Sequence, residues 1–420
     1  MGVDFAITID SEEFNNYGGA KINYSDTDFQ NQDTVQAGSA IKIQNHSLLF
    51  EEIINPQHIE CFEWNNTKAF FKTGSSGFPF DIFAASFYLL SRYEEYLPHE
   101  KDSYGRYAHQ NSLAFKEGFL IFPLINIWVN GLALVLEQNF PAFKTKTSIF
   151  KFIPTYDIDM AFSYKHKGLP RNIGGFLRSP SAKRISVLLG SGKDPFDSYD
   201  WLDELHRQTN AQPIYFFLVA EKNSAYDKNI LPHKDAMWKL VKRHATKYTI
   251  GLHPSWQSGD NPVLLKKEKE LLEAMAHSSH AGQTLQPHAD KSRQHYIRFN
   301  LPQGYQRLID AGIKDDYSMG YGSTNGFRAS VASSFYWYNL EKEEQTNLRI
   351  HPFCFMEANS FYEQKYSAPQ AFDEMMHYYS QCKAAGGILI TIWHNNFLGT
   401  GKMFEGWREI YKGFIAQVQQ

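Results

Sequence analysis

The stretch Lys151-Phe-Ile-Pro-Thr-Tyr-Asp-Ile-Asp-Met160 predicts the fold of this chain. Residues 150–156 are an apolar run typical of a buried strand, and Asp157 and Asp159 follow at its carboxyl end. Because side chains two residues apart leave an extended chain on the same face, the two carboxylates can converge on one cation. Catalytic groups of α/β proteins lie at the carboxyl ends of parallel strands. We therefore expect later strands to end in matching polar residues.

The sequence after residue 150 alternates between strand-like and helix-like patterns. Strands are predicted at residues 213–220, 247–252 and 387–393, and helices at 234–244, 262–277 and 371–385. Repeated βα units of this length predict an α/β fold, a parallel (β/α) barrel made of residues 149–420. The barrel is expected to be closed, or else incomplete and distorted.

Residues 1–148 are predicted to form a separate, smaller accessory domain with an α+β or α/β fold. Asp81 is placed to cap a helix in this region. Several charged residues follow that helix, and we interpret them as a solvated face, with the rim of a substrate site as the alternative: Arg92, Glu94, Glu95, Arg106 and His109. No catalytic constellation is apparent here, so the sequence leaves the role of this domain open.

Composition and charge narrow the class of protein. The chain has 420 residues, of which 43% are hydrophobic and 21% are charged, a balance typical of soluble proteins. Its formal net charge of −3 argues against nucleic-acid binding through a basic face. We find no signal peptide at the amino terminus and no apolar run that could span a membrane, so we expect a cytoplasmic location. The three cysteines form no closely spaced pair, which argues against a disulfide framework.

Polar residues do follow the later predicted strands. In addition to the two acids they are His253, Arg293, His295, Asp315, Asp316, Arg328 and His394. Carboxylates and imidazoles without a thiolate are donors typical of zinc or another divalent first-row metal. Three further histidines, His277, His280 and His288, lie in a polar loop that we interpret as a solvated connector.

Residues 150–420 contain four short motifs in the order and at the spacing of the polysaccharide deacetylase superfamily, which this segment resembles. The motifs are Thr155-Tyr-Asp-Ile-Asp159, His253-Pro-Ser-Trp-Gln257, Arg293-Gln-His-Tyr296 with Leu308-Ile-Asp-Ala-Gly-Ile313, and Ile390-Thr-Ile-Trp-His394. The runs Asp316-Tyr-Ser-Met-Gly-Tyr321 and Gly326-Phe-Arg-Ala329 are similar to a divergent bacterial branch with an amino-terminal domain of its own. The resemblance implies a deacetylase-type barrel and a metal-dependent hydrolase.

The resemblance implies a metal site built from one aspartate and two histidines, with zinc as the first candidate ion. Asp159 and His253 match two of the ligands, whereas Gln257 stands where the family has its second histidine. Glutamine is a poor zinc ligand beside imidazole, so another donor is needed, and we choose His295. Two interpretations are open. Either His295 completes the site, or it packs under Tyr296 and the metal site is defective.

The catalytic roles that the resemblance implies fall on four residues. Asp157 is the candidate general base, and Arg293 is expected to pair with Asp157 and favour its ionised form. His394 is the candidate acid that protonates the leaving amine. Arg328 is a candidate for the place of Arg293, or for binding a carboxylate or phosphate of the substrate through its planar fork.

The substrate contacts are expected from an acid and aromatic side chains. Asp316 is the candidate for the acid that the family carries on the next strand. Trp256 and Tyr321 are expected to stack on a sugar ring, whereas Trp393 is more typical of a core aromatic. These residues fit a small-molecule or oligosaccharide substrate, and none of them identifies it.

Three hypotheses for the function follow. The first is a metal-dependent hydrolase that removes an acyl group from an N-acylated sugar or a related C–N bond substrate. The second is a catalytically silent barrel that binds carbohydrate or acts as a scaffold, which Gln257 permits. The third is a C–N hydrolase of a non-sugar amide. The sequence leaves the oligomeric state open.

Overall fold

The computed structural model describes residues 2–25, 40–74, 77–146, 148–277 and 289–418, a mixed α/β protein. The strands are β1 (Ile22–Tyr24), β2 (Ile41–Ile43), β3 (Phe62–Trp64), β4 (Thr67–Ala69), β5 (Lys151–Ile158), β6 (Ile214–Phe217), β7 (Thr249–Leu252), β8 (Lys291–Ser292), β9 (Asp315–Asp316), β10 (Phe335–Asn339), β11 (Glu344–Ile350), β12 (Phe355–Met356) and β13 (Ile388–His394). The last nine of these strands form one sheet, and the first four pair off into two small sheets.

The helices follow the alternation that the sequence predicts after residue 150. They are α1 (Ser11–Asn16), α2 (Ile82–Leu90), α3 (Leu113–Lys116), α4 (Leu124–Asn139), α5 (Leu169–Arg178), α6 (Ala182–Leu188), α7 (Tyr199–Thr209), α8 (Asp235–Ala245), α9 (Pro262–Ala276), α10 (Gln303–Asp310), α11 (Ala368–Ala384) and α12 (Trp407–Val418). As expected, the Asp81 carboxylate caps α2 by accepting from two backbone N–H groups of its first turn. Within the described ranges, no helix is long and apolar enough to cross a bilayer.

The large sheet is open and mostly parallel. Its strand order is β10-β11-β9-β8-β7-β6-β5-β13-β12, and all pairs are parallel except the hairpin β10–β11. The antiparallel hairpin β10–β11 forms one edge of the sheet, at a position where a closed barrel would have a further βα unit. Between residues 148 and 418, outside the gap at 278–288, β10 and β12 do not pair, so the prediction of a closed barrel is not confirmed. The incomplete form that we also allowed is the better description.

The centre of the sheet is buried on both faces. The last five residues of β5 and all of β6 are buried, as expected for parallel strands that are covered by helices on both sides. This burial explains why the sequence of β5 is an apolar run and not an alternation of apolar and polar residues. It also makes the carboxyl end of β5 a rigid support for the residues that follow it.

Of the charged residues after α2, Arg92, Glu94, Glu95 and Arg106 are buried and His109 is half-buried, so our interpretation of them as a solvated face is wrong. Glu95 accepts from Arg328 Nε at 2.8 Å and from Arg328 Nη2 at 2.6 Å, and it also accepts from Arg92 Nε at 2.8 Å. Arg92 donates in addition to Glu94 and to the backbone carbonyl of Arg328. The pair of Glu95 with Arg328 joins residues that are far apart in sequence, which no local pattern could indicate.

Residues 1–148 and the rest of the chain share one continuous apolar core. Backbone hydrogen bonds also cross between them: Phe327 donates to the carbonyl of Leu120 at 2.8 Å, and Ile125 donates to the carbonyl of Ser330 at 3.0 Å. The division into domains at residue 148 stays a prediction. What the structure adds is that residues 92–125 lie directly against residues 296–333.

Candidate active site

The register of the sheet brings the predicted catalytic residues to one edge. In the parallel ladder His394 of β13 is paired with Asp157 of β5, and Phe217 of β6 is paired with Leu252 of β7, directly before His253. Leu252 is in turn paired with Ser292, directly before Arg293. Because all these strands run in the same direction, their carboxyl ends form one row. The parallel register alone therefore places these polar strand ends at a common edge of the sheet.

Three side chains form a group of donor atoms at this edge. Asp159, His253 and His295 each place a potential ligand atom within 4.8 Å of the other two. Nε2 of His253 lies 3.0 Å from Oδ1 of Asp159, and Nε2 of His295 lies 3.5 Å from Oδ2. Oδ1 of Asp159 is buried and has no hydrogen-bond partner among the described residues. A buried carboxylate oxygen without a hydrogen bond is costly unless a cation or a proton satisfies it.

The second nitrogen of each imidazole is held by an acceptor. Nδ1 of His253 donates to the backbone carbonyl of Arg293 at 2.5 Å, and Nδ1 of His295 lies 2.9 Å from Oδ1 of Asp227. A carbonyl oxygen cannot donate, so the hydrogen of a neutral His253 ring must be on Nδ1 and its Nε2 lone pair faces Asp159. Acceptors that fix tautomer and orientation in this way are typical of metal-binding histidines.

The charges of the site favour a bound cation. Burial lowers the pKa of His295, but the carboxylates of Asp159 and Asp227 outweigh it and raise this pKa to about 9. Burial raises the pKa of Asp159, but His295 and His394 outweigh it and hold this pKa well below its usual range. Asp159 is thus a carboxylate, and the site stabilises positive charge beside it. A divalent ion bound here would supply that charge in place of the protons.

Asp157 and Arg293 form a buried pair beside the donor group, as the sequence analysis expects. Arg293 Nη1 donates to Oδ1 of Asp157 at 2.8 Å and to the hydroxyl of Thr155 at 2.7 Å. The guanidinium lies over the ring of Phe216 at 4.4 Å. Oδ2 of Asp157 lies 3.9 Å from Nε2 of His253, so the carboxylate is next to the donor group without being one of its members.

His394 lies on the other side of Asp159. Its Nε2 is 3.4 Å from Oδ2 of Asp159, and its Nδ1 is 2.7 Å from Oε1 of Glu357. Burial lowers the pKa of His394, but Glu357 and Asp159 outweigh it and raise this pKa well above its usual range. Glu357, which is itself fully buried, also accepts from the backbone N–H of His394. The ring is thus fixed with Nε2 towards the donor group.

Sequence reasoning missed Asp227 and Glu357, the two acids that hold the histidines. Asp227 could have been predicted, because it is an acid in the loop after β6. Among the strands predicted at residues 150–156, 213–220, 247–252 and 387–393, only 213–220 was assigned no polar residue at its end. Glu357 directly follows Met356, the last residue of the two-residue strand β12. A strand that short produces no periodicity from which its end can be predicted.

Four aromatic rings form a wall next to His295. Trp256 and Tyr226 are stacked at 3.9 Å, and Tyr104 and Tyr296 are stacked at 5.3 Å. The two pairs touch, with Trp256 and Tyr296 edge to face at 5.7 Å, and Tyr296 lies 4.6 Å from His295. All four residues are half-buried, and the guanidinium of Arg298 lies over the ring of Trp256 at 4.4 Å. Trp256 lies near the site as expected, and Tyr104 comes from the N-terminal region.

Arg106 holds the backbone turn that carries His295. Tyr296 and Ile297 have φ angles of +59° and +54°, a left-handed conformation that is unfavourable for a β-branched residue such as isoleucine. Arg106 Nη1 donates to the carbonyl of Tyr296 at 2.6 Å, and its Nε donates to Asp102 at 2.6 Å. Backbone strain of this kind persists when its surroundings fix it, and it is frequent at functional sites. The N-terminal region therefore shapes the loop next to the donor group.

Three residues that we expected at the site are bound elsewhere. The guanidinium of Arg328 donates to Glu95 through Nε and Nη2 and to the carbonyl of Gly320 through Nη1. The hydroxyl of Tyr321 lies 3.3 Å from Nη2 of Arg92, and the residue is 2% exposed. These two side chains serve the contact with the N-terminal region, where partners distant in sequence decide their role.

Asp316 is also not accessible to a substrate. Its carboxylate accepts from the hydroxyls of Ser292 at 2.8 Å and Ser318 at 2.9 Å, and from the backbone N–H of Ser318. Burial raises its pKa, although these hydrogen bonds oppose the shift. Asp316 thus ties β9 to β8 below the site. Trp393 is fully buried, as expected for a core aromatic.

The remaining histidine prediction is only partly covered. His277, directly after α9, is exposed, which agrees with a solvated connector. His280 and His288 lie outside the described residues.

The chain was compared with protein families, with curated proteins and with solved structures. Residues 1–141 match a family of unknown function (DUF7033). The structure is similar to an inferred polysaccharide deacetylase from Mycobacterium smegmatis, at 13% identity and a TM-score of 0.42, over 66% of this chain and 86% of that one. It is also similar to an inferred glycoside hydrolase or deacetylase from Parabacteroides distasonis, at 11% identity and a TM-score of 0.36, over 65% of each chain. No curated protein matches the sequence.

Proposed function

We propose that this chain is a metal-dependent hydrolase of the polysaccharide deacetylase type, which removes an acyl group from an N-acylated sugar or a related C–N bond substrate. One observation carries the proposal. The Asp159 carboxylate, whose buried Oδ1 has no hydrogen bond among the described residues, lies between the imidazoles of His253 and His295, with an Asp–Arg pair on one side and a Glu–His pair on the other. A general base, a metal site and a general acid in one row are the parts that amide hydrolysis needs.

Asp159, His253 and His295 would hold the metal. One carboxylate and two neutral imidazoles, with positions left open for water and substrate, suit zinc, which our sequence analysis names first, as well as other divalent first-row ions. Such an ion polarises an acyl carbonyl and lowers the pKa of a water molecule towards neutrality. Gln257 does not belong to the donor group, and the proposal gives its place to His295.

Asp157 acts as general base in this proposal. Its Oδ1 is occupied by Arg293, while Oδ2 faces the donor group and is free to take the proton of the attacking water. Arg293 fixes the orientation of this carboxylate, because the guanidinium is itself held by Thr155 and by the carbonyl of Tyr317. His394 is the general acid. Glu357 holds its Nδ1, so Nε2 is the atom that delivers a proton to the leaving amine.

The aromatic wall of Tyr104, Tyr226, Trp256 and Tyr296 supports a ring-shaped substrate. These half-buried tyrosine and tryptophan side chains combine apolar ring surface with polar tips, which suits a sugar ring that has apolar faces and hydroxyl edges. The guanidinium groups of Arg298 and Arg106 lie over the rings of Trp256 and Tyr104, so the exposed parts of these rings are the proposed contact. Acetate release from acetylated amino sugars, compared with release from linear N-acetylated amines, distinguishes a sugar substrate from a non-sugar amide.

Metal analysis of the purified protein tests the proposal. After growth in zinc-supplemented medium we expect about one divalent ion per chain by mass spectrometry, since the site offers one group of three donors. His253→Ala should lose this ion, whereas His58→Ala should retain it, because the side chain of His58 is 89% exposed and outside the donor group. A wild-type protein without metal would refute the proposal and favour the catalytically silent barrel.

Replacing Asp227 tests the orientation of His295. An asparagine at position 227 would be a weaker acceptor for Nδ1 of His295, so Asp227→Asn should weaken metal affinity about 10- to 100-fold, the usual effect of losing such a partner. Competition with a chelator of known affinity measures the change. Asp235→Asn at the start of α8 is the control, and its affinity should equal that of the wild type. Equal affinity in Asp227→Asn would mean that His295 is not a ligand.

A further inference from the structure

Residues 165–193, called here the basic–apolar lobe, differ from the rest of the chain in charge. They contain seven lysines and arginines and no aspartate or glutamate, in a chain with a net charge of −3. The lobe consists of α5 and α6 with their flanking loops, and it connects β5 to α7. Charge of one sign that is concentrated in one inserted segment points to an anionic partner.

The lobe also exposes apolar side chains that a helix normally buries. They are Leu169 (76% exposed), Ile173 (56%), Leu177 (76%), Ile185 (47%), Leu188 (46%) and Leu189 (78%). The first three are spaced four residues apart and therefore share one face of α5. Val187 is the single buried apolar residue among those described in the lobe. Helices this short gain most of their stability from packing, so a face left open here indicates a missing partner.

The orientation of the two helices places these apolar faces outward. On α5 Asn172 is buried and donates to the carbonyls of Tyr164 and Gly168, whereas Leu169, Ile173 and Leu177 are exposed. On α6 the buried Val187 faces the protein, and Leu188 and Ile185 are on the opposite side. Both apolar faces are thus open to the outside.

The lobe is anchored at the edge of the sheet where the candidate active site lies. Lys183 Nζ donates to the carbonyl of Thr400 at 2.9 Å. Asn395, directly after His394, donates to the carbonyls of Met160 at 3.1 Å and Phe196 at 2.9 Å, on either side of the lobe. The loop after His394 and the segment that carries the lobe are therefore bound to each other.

We infer that the basic–apolar lobe binds the surface of an anionic lipid bilayer. Short helices with an apolar face and basic residues around it lie in the interface of such a bilayer, with the apolar side chains among the acyl chains and the basic groups at the lipid phosphates. A second copy of this chain is a poorer fit, because two lobes facing each other would bring like charges together. If the proposed hydrolase activity holds, the substrate is a membrane-anchored glycoconjugate; that part rests on the proposed function, and the binding does not.

Vesicle co-sedimentation tests this inference with the full chain. Wild-type protein should bind vesicles of mixed phosphatidylcholine and phosphatidylglycerol, and it should stay in the supernatant with phosphatidylcholine alone. The triple variant Leu169→Ser, Ile173→Ser, Leu177→Ser should bind the mixed vesicles at least about tenfold more weakly. Lys165→Gln with Arg178→Gln should also weaken binding about tenfold, since each basic group near the surface contributes.

Matched controls separate this result from general effects. The triple variant Leu134→Ser, Val263→Ser, Met403→Ser removes apolar residues that are 60%, 78% and 61% exposed elsewhere, and it should bind like the wild type. His253→Ala should also bind normally, so loss of the metal site and loss of membrane binding can be told apart. The inference would be overturned if wild-type protein did not co-sediment with the mixed vesicles, or if a lobe variant bound them as the wild type does. So would a wild-type dimer in size-exclusion chromatography that the lobe variant converts to a monomer.

Discussion

Asp157→Asn should retain its metal and lose about 10²- to 10⁴-fold in turnover, the usual effect of removing a general acid or base. An asparagine oxygen can still accept from Arg293 Nη1, so the fold should remain intact. The amide has no basic lone pair on its second atom, and the proton of the attacking water then has no acceptor. Because Asp157 is outside the donor group, metal content should not change.

The measurement needs a substrate, and a screen supplies it. Acetate release is followed with a panel of acetylated amino sugars and, in parallel, a panel of linear N-acetylated amines, which separates the two substrate classes. Asp310→Asn on the exposed side of α10 is the control and should have wild-type turnover. An Asp157→Asn variant with full activity would show that the general base is another residue.

Glu95→Gln should lower the free energy of unfolding by about 3–5 kcal/mol, the usual cost of removing one partner of a buried ion pair. The side chains of Glu95 and Arg328 are each 2% exposed, and that of Arg92 is fully buried, so two guanidinium groups would lose their carboxylate in a place that water cannot reach. Urea unfolding at neutral pH measures the change. Glu60→Gln is the control, because the Glu60 side chain is 85% exposed.

The same residue has a distinct pH signature. Burial raises the pKa of Glu95, but Arg328 and Arg92 outweigh it and lower this pKa from 4.5 to about 2. A group with a depressed pKa in the folded state contributes stability that is fully present above its unfolded pKa and is lost as the pH falls through the folded one. The wild type should thus lose this contribution between about pH 4.5 and pH 2, and Glu95→Gln should lack that part of the slope. Identical acid profiles would show that the ion pair stabilises little.

The sequence predicted the row of polar strand ends because that part of the site is local. Asp157 and Asp159 follow the apolar run at residues 150–156. His253 and His394 follow the predicted strands at 247–252 and 387–393, so their positions after strand-like runs indicated them. Parallel register then brings these ends together without further information. The choice of His295 in place of Gln257 also agrees with the geometry, since the imidazole is in the donor group.

The errors concern residues whose partners are distant in sequence. Arg328 and Tyr321 are residue types that often occur in substrate sites. Here Glu95 binds Arg328 and Arg92 binds Tyr321. No sequence pattern near residue 328 indicates contact with residue 95. The open sheet could not be predicted for the same reason, because the pairing of the hairpin at residues 335–350 with β9 is a tertiary contact that no local pattern indicates. Strand periodicity reports burial of a face and does not report which strand is its neighbour.

The contact between Arg92 and the carbonyl of Arg328 spans 236 residues of sequence, and this distance has a consequence during synthesis. At 5–20 residues per second, the ribosome adds the later partner about 10–50 s after the earlier one. Throughout that interval Glu95 lacks Arg328, and the surface of the N-terminal region that residues 296–330 later cover stays uncovered. The contacts of the first third of the chain are therefore complete only after most of the remainder has emerged.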